Sequence, residues 1–150
     1  MARDSDLIKL YSKRILALAA DMPLTEPLAA PDVVVKRRAP LCGSTVTVSL
    51  NLEDGRIAGY SQNVKACALG QASAALMARY VIGRTRAEIE AGRDALAAML
   101  AGTGDGPGAP WEDYDVLTPA RDYRNRHASI MLAFEATAQA MAEAAASACA

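Results

Sequence analysis

Apolar residues recur along this 150-residue chain first at helical spacing, then at every second position, then at helical spacing again. Leu7, Leu10, Tyr11, Ile15, Leu18 and Ala19 predict one amphipathic helix, and Met22-Pro23 opens an irregular Pro/Ala/Thr arm that ends at Pro31. Val33 to Arg38 reads as a strand and Pro40 to Gly43 as a turn. Thr45 to Leu52 is a second strand whose strict alternation turns Val46, Val48, Leu50 and Leu52 to one core-facing side. Asp54-Gly55 is the signature of a tight hairpin, so Arg56 to Val64 returns antiparallel and completes a three-stranded meander.

From Cys67 the period changes. Leu69, Ala72, Leu76, Met77 and Tyr80 form an apolar stripe interleaved with small residues, closed by Gly83. The small side chains of Gly70, Ala72, Ser73, Ala74 and Ala75 let a neighbouring element come close. Thr85-Arg86-Ala87-Glu88 fits a capping box ahead of Ile89, Leu96, Met99 and Leu100, and Gly102 ends that helix. The Gly/Pro-rich stretch from Gly102 to Pro110 is expected to be a flexible loop. Trp111 to Leu117 is short and ambiguous, Pro119 marks a boundary, and Asp122 to about Ala145 predicts a long Ala-rich helix followed by a tail. A helix, then strands, then segregated helices implies an α+β fold: a three-stranded antiparallel sheet with helices packed on one face. Residues 1–150 are expected to form a single domain.

Composition narrows the function classes. With 52% apolar residues and a net charge of -1, the chain can bury a real core. Only 5% of residues are aromatic and basic residues are not in excess, so neither nucleic acid nor an anionic membrane is the expected partner. Lys9, Lys13 and Arg14 interrupt the first apolar stretch, which therefore reads as neither a signal peptide nor a spanning helix, and a cytoplasmic location is expected. In that reducing compartment the cysteines are thiols available to metal or chemistry, with Cys149 incidental in its Ala-rich terminus.

Three residues could carry chemistry. Cys42 lies in the turn between two strands, followed by Gly43; Cys67 opens a helix, where unpaired N–H groups and the dipole favour a thiolate; His127 is the one histidine, at the start of the last helix. Each also has a plainer reading: a small buried hydrophobe for Cys42, packing beneath the sheet for Cys67, a solvated basic face for His127 among Arg121, Arg124 and Arg126. There is no Cys-x-x-Cys or His-x-x-x-His, so only the fold could bring the three together. An enzymatic alternative would use Cys67 as nucleophile and His127 as base in sulfur or acyl transfer, without a recognisable orienting carboxylate.

Cys42-Gly43-Ser44, the hairpin, the helix start Ala66-Cys67-Ala68-Leu69-Gly70-Gln71-Ala72-Ser73-Ala74, and Arg126-His127-Ala128-Ser129-Ile130 resemble, in order and spacing, the IscU/SufU/N-terminal-NifU family of iron–sulfur cluster assembly scaffolds. The resemblance covers roughly residues 5 to 140. It implies a non-enzymatic scaffold or carrier that accepts sulfur from a cysteine desulfurase and passes a transient iron–sulfur cluster to apo-protein acceptors, as a monomer or weak homo-oligomer. The ligands it carries over are Cys42, Cys67 and His127. The sequence departs from the family pattern at Ser44, where an aspartate is usual, at Ala128, the third cysteine position, and at Gly70, usually serine. Two thiolates and one imidazole leave a cluster short of four strong ligands, which suits a labile cluster completed by an outside ligand, or zinc with one open position. A further alternative is a zinc-binding or metal-free regulator that docks on the desulfurase; the basic cluster of Arg121, Arg124 and Arg126 would favour an acidic patch there.

Overall fold

The structure, a computed structural model, describes residues 11–40 and 43–148. Helix α1 (Lys13–Ala20) is capped by Ser12, whose hydroxyl accepts from the Ile15 N–H, and buries Ile15 and Leu18. The part of its predicted stripe that holds Leu7 and Leu10 lies outside the described residues. The three predicted strands form as β1 (Val33–Arg38), β2 (Thr45–Glu53) and β3 (Arg56–Lys65), antiparallel in the order β1-β2-β3. Val46, Val48 and Leu50 are buried as the alternation requires, whereas Leu52 is only half-buried, next to a register shift between Asn51 and Leu52. Asp54 and Gly55 both take positive φ, 53° and 76°, the primed turn that matches the twist of the strands it joins.

Four segments follow: α2 (Ala68–Tyr80), α3 (Arg86–Ala101), a 3-10 segment (Glu112–Asp122) and α4 (Arg124–Ala148). The Thr85/Glu88 capping box is complete and Gly102 closes α3 in the left-handed conformation. Two boundaries depart from expectation. The stretch around Trp111 is the start of a long 3-10 run that contains Pro119, so the proline is not a boundary, and α4 begins at Arg124 and not at Asp122. The run holds because Trp111, Tyr114, Leu117 and Ala120 are buried, and tertiary burial overrides the weak local geometry. The Gly/Pro loop also folds back on α3: Pro107 is buried, and a Cβ on Gly106 would lie 2.8 Å from Met99 Sδ.

One cluster of buried residues joins the inner face of the sheet to all the helices. Polar groups stitch it together. Tyr60 on β3 hydrogen-bonds Thr137 on α4 at 2.9 Å, and Thr137 donates to Met77 Sδ on α2 at 3.2 Å. Burial raises the pKa of Tyr60 and of Tyr114, whose O–H donates to the Ser73 carbonyl at 2.5 Å, so both remain neutral donors. At the surface, Tyr80 donates a short hydrogen bond to Asp113, which also pairs with Arg14 at 3.4 Å. That donor, ahead of the arginine, holds the Asp113 carboxyl below its ordinary range. No helix among the described residues is long and apolar enough to cross a membrane.

Helix α3 meets α4 at Gly92, where a Cβ would lie 2.7 Å from Phe134 Cε1 and 2.9 Å from Trp111 Nε1. Phe134 in turn packs edge-on to Trp111, ring centroids 5.1 Å apart. Gly92→Ala should gain about 1 kcal/mol of helix propensity and lose about 1–3 kcal/mol to overpacking. Urea denaturation is therefore expected to show net destabilisation; an increase in stability would mean that α3 and α4 can separate freely.

Candidate functional site

Ala39, Gly43 and Ser44 set up the first part of the site. Gly43 N–H donates to the Ala39 carbonyl at 3.0 Å, Ala39 N–H donates to the Ser44 carbonyl at 2.8 Å, and Gly43 has φ +73°. This is a glycine bulge just beyond the paired strands, in which Gly43, in the left-handed conformation, and Ser44 together oppose Ala39. Its consequence is that Ser44 turns inward, 5% exposed. Cys42, the predicted ligand in the same turn, lies outside the described residues, as does Cys149.

Cys67 is the N-cap of α2. Its backbone is extended and its side chain makes no capping bond, so the thiol is free of the helix end and sits half-buried. Cys67 Sγ lies 3.5 Å from Ser129 Oγ on α4, and Ser129 Oγ lies 3.2 Å from Ser44 Oγ. A thiol and two hydroxyls from three elements thus form one chain of contacts. Gly70 makes the room: a Cβ there would fall 2.3 Å from Ser129 Oγ and 2.8 Å from Ala66 Cβ. Gly70 and Ser129 are two halves of one packing solution. Ser129, 2% exposed, is not marked by the spacing of cysteines and histidine; its signal is a hydroxyl on the buried face of α4, in line with Ala133 and Thr137.

His127 occupies a different face of α4. Residues two apart on a helix do not share a face, so His127 is turned from the line that carries Ser129. Its Nε2 lies 2.8 Å from the Ala120 carbonyl oxygen, half-buried. A carbonyl only accepts, so Nε2 bears a hydrogen and spends it on the backbone, the kind of backbone partner that orients metal-binding histidines through their other nitrogen. His127 lines an open cavity of about 560 Å³ with Leu100, Gly102, Arg121 and Arg124. Among the described residues, no three His, Cys, Asp or Glu side chains stand close enough to hold a metal ion. The structure therefore brings Cys67 to Ser129 and Ser44, and leaves His127 beside Ala120 with one nitrogen available. Ala128 is exposed, whereas Arg121 spends its Nε–H on the Met99 carbonyl at 3.1 Å and caps the end of α3.

No protein-family model matches the sequence, and no curated relative does. Solved structures do. The crystal structure of the N-terminal part of a nitrogen-fixing NifU-like protein from Brucella abortus superposes with a TM-score of 0.91 at 44% identity, over 94% of this chain and 98% of that one. The chain belongs to the NifU-like N-terminal family. The NifU-like fold recurs at lower identity in a candidate iron–sulfur cluster assembly scaffold protein for the SUF system from Fervidobacterium islandicum, 19% identical with a TM-score of 0.78 over 89% of this chain and 98% of that one. A hypothetical protein, 20% identical, shares it with a TM-score of 0.75 over the same proportions. The α+β architecture of the NifU-like chain is thus common to sequences that have diverged widely.

The Gly70–Ser129 contact yields a direct test. Gly70→Ala should destabilise the protein by about 1–3 kcal/mol through overpacking, and adding Ser129→Ala should return at least about 0.5 kcal/mol, the coupling of neighbours that share one space. Additive losses in a double-mutant cycle would show that the two residues do not compete for the same volume.

Proposed function

We propose that this chain acts as one scaffold domain, a non-enzymatic carrier in iron–sulfur cluster assembly that accepts sulfur from a cysteine desulfurase and holds a labile cluster or metal ion at Cys42, Cys67 and His127. The observation that carries the reading is the likeness to the Brucella NifU-like structure across nearly the whole of both chains. Two features of the site support it: a thiol at a helix start that is not consumed by capping, and a histidine whose Nε2–H is already committed to a backbone carbonyl.

In the sulfur step, Cys67 thiolate attacks the terminal sulfur of a persulfide on the desulfurase. The S–S bond breaks, the donor cysteine leaves as a thiolate, and Cys67 becomes the persulfide, so no outside oxidant or reductant is needed. Ser129 Oγ, within reach of Cys67 Sγ, is placed to donate a hydrogen bond to the thiolate before attack. The cluster or ion is cargo. Two thiolates and one nitrogen give it an incomplete ligand set, so an acceptor protein's thiolates can displace it.

A second reading, a regulator that docks on the desulfurase with zinc or with no metal, has one observation in its favour: Ser44 is turned in to Ser129 where the family's usual residue is an aspartate. Quantifying iron, zinc and acid-labile sulfide in protein purified without oxygen separates the two. The scaffold reading expects iron with comparable sulfide after reconstitution, and loss of most of both in Cys67→Ser and Cys42→Ser. Desulfurase binding that survives both substitutions, with neither iron nor sulfide retained, would give the function to the regulator.

A further inference from the structure

Strand β1 is one margin of the sheet, and its ladder phase is fixed by the bulge beside it. Because Ala39 N–H bonds to the Ser44 carbonyl, the pairs Arg37–Val46, Val35–Val48 and Val33–Leu50 are the ones that exchange hydrogen bonds with β2. Val34, Lys36 and Arg38 must then direct their N–H and C=O groups outward, and no described residue outside β2 bonds to them. Their side chains are all exposed on the outer face of the sheet, Val34 at 56%. The opposite margin is closed, since the Gln62 N–H on β3 donates to the Leu24 carbonyl at 2.9 Å and Ile57 pairs with Gly83 and Arg84.

We propose that the open edge of β1 is a docking site for an extended acidic segment of a partner protein, which adds as a fourth strand. Backbone groups of Val34, Lys36 and Arg38 supply the pairing, as in other cases of strand addition. Residues of the incoming strand that pair with Lys36 and Arg38 emerge on the same outer face as those cations, at cross-strand contact distance, so carboxylates are selected there. An apolar residue is selected opposite Val34. The same charges exclude a second copy of this chain, because antiparallel self-pairing about Lys36 would set lysine against lysine. Arg38 lies near Gly43, 3.8 Å from the position of a Cβ there, so a docked segment runs toward the bulge that positions Ser44. The proposal stands apart from the metal reading.

The probe is a blocked, fluorescently tagged nine-residue peptide that alternates Asp or Glu with Val or Thr, titrated against the full chain and read by anisotropy. Saturable binding that weakens as salt is raised is expected, and it should be the same for Cys67→Ser. Lys36→Glu with Arg38→Glu should weaken it by about tenfold or more, from lost and reversed charge pairs. N-methylation of alternate peptide amides should abolish binding in one phase and spare it in the other, because only every second residue of an added strand donates to β1. No saturable binding, equal binding of a Lys/Val peptide, or indifference to N-methylation in both phases would overturn the proposal. So would concentration-dependent self-association of the chain that Lys36→Glu with Arg38→Glu relieves.

Discussion

Helix α4 is approached on two sides at distances that only glycine permits. On one side Gly70 of α2 abuts Ser129; on the other Gly92 of α3 abuts Phe134 and Trp111. Helices packed this closely gain dispersion contacts from backbone as well as side chains, and they leave no slack for a misplaced methyl group. The Ala-rich composition of α4 belongs to the same constraint, since Ala133, Ala136, Ala140 and Ala144 are buried where bulkier residues would push the sheet and the flanking helices apart. Ser73 secures the arrangement by donating to the Ile130 carbonyl at 2.6 Å, a bond that a wider helix spacing would break.

The site inherits its geometry from that packing. Because α2 lies against α4 at Gly70, the thiol at the start of α2 meets Ser129, and because the Gly43 bulge turns Ser44 inward, the first residue after the turn meets the same hydroxyl. His127 belongs to the other part of the first turns of α4, where the 3-10 segment delivers the Ala120 carbonyl. Burial of Tyr114, Leu117 and Ala120 fixes that segment, so core residues remote from the thiol decide which histidine nitrogen is tied to the backbone.

Much of the architecture was legible in the sequence, for reasons that differ by element. Thr45 to Leu52 alternates cleanly, Asp54-Gly55 fits few turns, and Thr85 with Glu88 fits few helix starts; in each the local chemistry and the fold agree. The 3-10 segment escaped because its stability comes from tertiary burial that overrides Pro119. Gly70 could be read as permitting close approach, but the identity of the atom that uses the space, Ser129 Oγ, depends on a helix 59 positions later in the chain (129 − 70). Likewise, His127 could be marked as a ligand by its residue type, but its partner on the Ala120 carbonyl follows from the path of the chain into α4.

The central claim is that Cys67 and His127, set on separate supports by the packing around α4, act with Cys42 on a single metal centre. X-ray absorption spectroscopy of protein loaded with one equivalent of zinc tests it most directly. The account predicts a first shell containing sulfur at about 2.3 Å and nitrogen at about 2.0–2.1 Å, with imidazole scattering that disappears in His127→Ala while the sulfur shell remains. A shell of oxygen and nitrogen only, or a sulfur shell with no imidazole scattering in the wild-type protein, would contradict it.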